Sequence, residues 1–99
     1  MPHFLLRLVP SRPTFPGDMT EAERETMERH AAYCQDLIET GVGLMFGPVF
    51  DPAGAWGLGI VEAVDEEEAK SLGENDPAVI AGIGRYRVAP MRVSFIRKG

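Results

Sequence analysis

Apolar and polar positions along the chain switch between a period of two and a period near 3.6, and the switches mark the elements. His3 to Val9 is almost continuously apolar and predicts a first strand covered on both faces. Pro10 to Met19 holds three prolines and a glycine, which exclude regular structure. From Glu21 to Thr40 the period becomes helical. Met27, Ala31, Cys34, Leu37 and Ile38 share one face, and Arg24, Glu25, Glu28, Arg29 and Asp36 fill the other. Thr20-Glu21-Ala22-Glu23 is a capping box at the start, and Gly41 is a left-handed stop at the end.

Period two returns at Val42 to Phe50, a second strand interrupted by Gly47-Pro48. Pro48 lacks a donor, so this strand is expected at an edge or bulged there. Asp51-Pro52-Ala53-Gly54 is a turn. Ala55 to Val64 alternates cleanly as a third strand: Trp56, Leu58 and Ile60 point one way, and Gly57, Gly59, Val61 and Ala63 the other. Two glycines on one face predict a close approach to the backbone. Asp65 then caps a short acidic helix. Asn75-Asp76-Pro77 breaks it, with one further turn over Ala78 to Gly82. Tyr86 to Ile96 reads as a last strand whose phase slips at Ala89-Pro90.

The order β-α-β-β-α-β predicts an α+β, ferredoxin-like fold over residues 1–99 as a single domain. Four antiparallel strands form one sheet with both helices on one face. The other face would be bare and apolar, and a second copy is its natural cover, so a homodimer is expected.

Composition narrows the partners. The chain has 99 residues and a formal net charge of −5, with its basic residues scattered. That argues against nucleic acid and against an anionic membrane surface. No apolar run reaches the length of a membrane span and no signal peptide is visible, so a cytoplasmic location is expected. Cys34 is the single cysteine. Its place on the apolar helix face suggests a small core residue, and no Cys/His cluster of zinc type is present, so neither a metal nor a cofactor is expected.

His30 is the residue that breaks the pattern, since it stands at the rim of the apolar helix face. An imidazole there is a candidate proton carrier or a packed residue with one hydrogen bond. Its best partner is Asp76, 46 residues later, which alone reads as a helix cap before Pro77. Phe15 in the proline-rich loop is an anchor on the core or a lid over a pocket. Arg12 could overhang the same pocket to receive an anionic group.

The ordered pieces resemble the YCII-related family of small dimeric α/β-barrel proteins. They are Asp18-Met19-Thr20 with Glu23, His30 with Tyr33, Phe46-Gly47-Pro48, Trp56-Gly57, Glu62-Ala63, Asn75-Asp76-Pro77, Gly82 and Ala89-Pro90-Met91. Ala78 departs from the commoner pattern, which has an aromatic residue after Asp-Pro. The resemblance implies two sheets facing each other across a dimer, and His30 and Asp76 together as catalytic residues. One relative is similar to dehydrochlorinases acting on chlorinated hydroxyquinols. The expected substrate-binding residues are Arg12, Phe15, Tyr33, Gly47 and Pro48. Three readings stay open: a lyase- or isomerase-like enzyme of small, possibly phenolic or cyclic, molecules using a His-Asp pair, a non-catalytic ligand-binding module, and a structural dimer.

Overall fold

A computed structural model describes residues 1–98. Its strands are β1 (His3–Pro10), β2 (Gly43–Val49), β3 (Trp56–Glu62) and β4 (Gly84–Met91); its helices are α1 (Glu21–Glu39), α2 (Glu66–Glu74) and the single turn α3 (Pro77–Ile80). They follow in the order β1, α1, β2, β3, α2, α3, β4. All neighbouring strands are antiparallel, and the sheet order is β2-β3-β1-β4. This is the ferredoxin-like fold.

Local chemistry sets the helix limits. Thr20 and Glu23 make the reciprocal capping box, with the Thr20 hydroxyl accepting from Glu23 N–H at 3.1 Å and the Glu23 carboxylate accepting from Thr20 N–H at 2.9 Å. Gly41 follows α1 at φ 82, the left-handed conformation that a residue with a Cβ resists. Asp65 caps α2 by accepting from Glu68 N–H. Asp76 caps α3, with Pro77 in its first turn.

The register places Phe4, Leu6 and Leu8 of β1 on the same sheet face as Val61, Gly59 and Gly57 of β3 and Tyr86 and Val88 of β4. The helices cover this face. Phe4, Leu6, Val61, Ala63 and Ala69 form one buried cluster; Leu8, Phe15, Ala78 and Ile83 form another, and Tyr86 packs against both. The glycines of β3 are where the sequence pattern demands small residues. A Cβ on Gly59 would stand 2.7 Å from the Phe46 ring, and one on Gly57 3.2 Å from Leu8 Cβ. Gly73 of α2 is under the same constraint, with a Cβ there falling 2.8 Å from the Tyr86 ring.

The opposite face holds Leu5, Arg7, Trp56, Leu58 and Ile60, and no helix lies on it among the described residues. Arg7 stacks its guanidinium 4.4 Å above the centre of the Trp56 ring. Within the chain, residues on β1 therefore alternate between core and this half-exposed face.

Two expectations need correction. The last strand ends at Met91, not Ile96, because β1 runs out of partners: Met91 pairs with His3 at the start of β1. Beyond it Phe95 is 97% exposed. Pro48 does not interrupt β2, and the edge position expected from its missing donor is the one observed. It lies within a continuous edge strand, where its missing donor costs no ladder bond, and the register shift falls between Gly43 and Met45 instead. No helix of the described residues is long and apolar enough to cross a membrane.

Candidate functional site

Three elements converge on one carboxylate. Asp76 sits between α2 and α3, where its Oδ1 accepts from Ala78 N–H at 2.9 Å as a helix cap. Tyr86 of β4 donates its hydroxyl to Oδ2 at 2.6 Å. From α1, His30 Nδ1 lies 2.7 Å from Oδ2 and 2.9 Å from Oδ1. Asp76 is 0% exposed, so its charge depends on these donors in place of water.

The electrostatics follow from that enclosure. Burial works against a charged imidazole, yet the hydrogen bond to Asp76 and the neighbouring Cys34 outweigh it and push His30 up to about 10. Burial likewise works against the Asp76 carboxylate, and the bonds from His30, Tyr86 and Ala78 N–H still hold it below the ordinary range. The Tyr86 hydroxyl is raised by burial and by the carboxylate it serves. The pair is therefore an imidazolium–carboxylate at neutral pH. Nδ1 is committed to Asp76, which leaves Nε2 as the nitrogen that can meet a ligand.

His30 stands in the wall of a cavity of 720 Å³. The lining is mostly apolar: Met19, Met27, Phe46, Phe50, Trp56 and Ile83 contribute, and Cys34 and Gln35 supply polar atoms beside His30. A mostly apolar hollow with a few convergent polar groups suits one small ligand. Its position explains the apolar face of α1. Met27, Ala31, Cys34 and Ile38 all line this hollow, and Met27 also packs on the cluster around Leu8.

The residues expected to bind substrate divide. Phe15, Gly47 and Pro48 line the cavity. Phe15 is also buried among Leu8, Ala78 and Ile83, so it is an anchor and a wall at once. Arg12 is turned away. Its Nε donates to Asp18 at 2.9 Å and its Nη1 and Nη2 to Glu23 at 2.7 Å, and its guanidinium lies 5.4 Å from the centre of the Phe15 ring. Arg12 thus ties the proline-rich loop to the start of α1. Tyr33 also points elsewhere, donating its hydroxyl to the Leu72 carbonyl at 2.6 Å and joining α1 to α2.

Two residues of the site escape a reading of the sequence. Tyr86 reads only as an apolar position of a strand; its register opposite Leu8 is what aims the hydroxyl at Asp76. Cys34 reads as core filling, although its spacing of four from His30 puts both on one helix face. Its Sγ lies 3.8 Å from His30 Nε2.

Comparison with known proteins agrees with this architecture. The model of the YCII-related domain matches residues 4–92. A search of curated proteins finds no match to the chain. Among solved structures, the chain is similar to 5-chloro-2-hydroxyhydroquinone dehydrochlorinase (TftG) from Burkholderia phenoliruptrix AC1100, in complex with 2,5-dihydroxybenzoquinone. The TM-score is 0.64 at 23% identity, over 90% of this chain and 93% of that one.

Proposed function

The chain belongs to the YCII-related family, and on that premise we propose that it is a small-molecule enzyme in which His30 and Asp76 perform general acid–base chemistry. The observation that carries this reading is the 2.7 Å contact between His30 Nδ1 and a carboxylate with no solvent exposure, in the wall of a 720 Å³ cavity. Asp76 fixes the ring and stabilises its charged form. Nε2 then donates a proton to a substrate oxygen as charge develops there, and the neutral ring takes a proton back in the complementary step.

The substrate class follows from the lining and from the likeness to the dehydrochlorinase. A single flat ring bearing hydroxyl or keto oxygens fits an apolar hollow of this volume with a proton donor on one wall. The reaction is a proton transfer or an elimination of the lyase or isomerase kind. The open sheet face adds to the site. Trp56 and Leu58 belong to that face and also border the cavity, so a second copy stacked on it narrows the entrance. A homodimer is part of the proposal, and sedimentation should give twice the chain mass.

The test is incubation with a panel of hydroxylated and halogenated rings, scored for turnover and for exchange of ring protons with deuterated solvent. His30→Gln and Asp76→Asn should each lower the rate by about 10²- to 10⁴-fold. Ligand binding without turnover or exchange in the unaltered protein would replace this reading with the binding module.

A further inference from the structure

A single ring leaves much of the cavity unfilled. A hollow of 720 Å³ lies in the upper part of the range, about 300–1,000 Å³, that encloses a whole drug-sized molecule. How the walls divide says what else belongs there. His30, Cys34 and Gln35 bring their polar groups from adjacent turns of α1, and the Tyr86 hydroxyl is committed to Asp76. The rest of the lining is apolar, aromatic or glycine.

The two sides of His30 also differ in closure. On one side Met27 packs against Phe15 and Ile83, which are 7% and 5% exposed and shut the hollow. On the other side the hollow stays open. Ile38 follows His30 by eight residues, about 12 Å along the helix axis, and is 37% exposed. Met45 of β2 is 53% exposed, and both residues line the cavity. Ile38 and Phe46 meet over Gly43, where a Cβ would touch both. Of the 19 residues of α1 only Thr26 and Cys34 are buried, so beyond Cys34 its apolar face lacks a filling.

We infer, resting on the acid–base reading for the ring itself, that the substrate carries one hydrocarbon chain, which leaves the ring at His30, runs along α1 and covers Ile38 and Met45. The trough suits such a chain and no charged substituent. No Lys, Arg, Asp or Glu stands among the described lining residues, so an ionic group there would lose its water without a counter-charge. A hydrocarbon chain instead removes its own surface and that of Ile38 and Met45 from water together. The ring is then held by hydrogen bonding at His30, and most of the affinity comes from the chain.

The test is isothermal titration calorimetry of the intact protein with hydroquinones bearing one n-alkyl chain, from methyl to octyl, each below its micelle concentration. Each added carbon should tighten binding by about two- to fourfold until the chain passes Ile38. In NMR spectra the methyl signals of Ile38 and Met45 should shift with the octyl compound and stay in place with the methyl one. The double variant Ile38→Gln, Met45→Gln alters two exposed positions and should cut the octyl-to-methyl affinity ratio by at least about tenfold. Should it not fold by circular dichroism, Met45→Gln alone should cut that ratio by at least about threefold. n-Octanol, a chain without a ring, should bind at least about tenfold more weakly than octylhydroquinone. Equal affinity along the series, an unchanged ratio in the variants, or equal binding of octanol overturns the chain. So does a second copy seated on Ile38 and Met45 that the octyl compound fails to displace. Turnover of the methyl compound with no gain from a longer chain defeats the chain alone. Chain-dependent affinity without turnover or proton exchange defeats the acid–base step alone.

Discussion

Two ion-pair clusters in this molecule have the same contact distance and opposite settings. Arg12 reaches Glu23 at 2.7 Å on the surface, and His30 reaches Asp76 at 2.7 Å beneath it. In the surface cluster the Arg12 hydrogen bond and the Thr20 N–H draw Glu23 down to about 2, and the Thr14 hydroxyl and Arg12 lower Asp18. Water solvates these groups in any case, and losing one partner strands nothing. In the buried cluster each partner replaces water for the other, so removing one leaves a charge with nowhere to go. The first cluster trims a loop, and the second encloses a charged pair in the wall of the cavity.

The largest test of that contrast is deletion. Asp76→Ala should cost about 3–5 kcal/mol in urea unfolding, because it strands a buried imidazole and uncaps α3. Arg12→Ala should leave the urea midpoint close to that of the unaltered protein. Equal costs would erase the distinction.

pH sharpens it. His30 is raised from 6.5 to about 10, so its stabilisation is complete below 6.5 and is lost as pH climbs through about 10. Asp76 is lowered, so its contribution is present above the ordinary carboxylate value and fades as pH falls through the depressed one. Stability of the unaltered protein should fall from pH 6.5 towards 10. Asp76→Asn should flatten that slope, and the His30 ring should titrate lower by NMR. A slope that survives the substitution would assign it to another group.

Tyr86→Phe should cost about 1.5–3 kcal/mol, the range for a hydrogen bond to a charged acceptor, and should raise the carboxyl of Asp76. No loss would mean that Asp76 needs only His30 and the cap. The smallest effect is that of salt. At 1 M NaCl, where the screening length is about 3 Å, the Arg12→Ala penalty should shrink towards zero while that of Asp76→Ala persists. Parallel losses would place both clusters in the same dielectric setting.

Much of this was legible in the chain. Thr20 with Glu23, Gly41, Asp65 and Asp76-Pro77 act through their own neighbours in sequence, so they mark helix ends locally. Gly57 and Gly59 announced close packing because a repeated missing Cβ on one face has few other uses. The pairing of His30 with Asp76 was readable only as a resemblance joined to two odd residues. What escaped depends on distant partners. A strand through Phe95 looked sound by alternation, but strand formation needs a neighbour and β1 starts at His3. Arg12 is held by Asp18 and Glu23, and periodicity does not rank those carboxylates against a ligand. Tyr86 became part of the site through cross-strand register, which no single segment records.

Gly73 lies on α2, lines no part of the cavity and carries no side chain, yet the Tyr86 ring rests where its Cβ would be. That ring is pinned at its other end by Asp76, so it has little room to retreat. Any larger residue at Gly73 therefore reaches His30 in two steps, by pushing the phenol and then loosening the carboxylate. Mutational sensitivity of the proposed chemistry thus extends to a residue outside the cavity lining, and a survey of variants scored by the His30 ring titration should find Gly73 beside Asp76 and Tyr86.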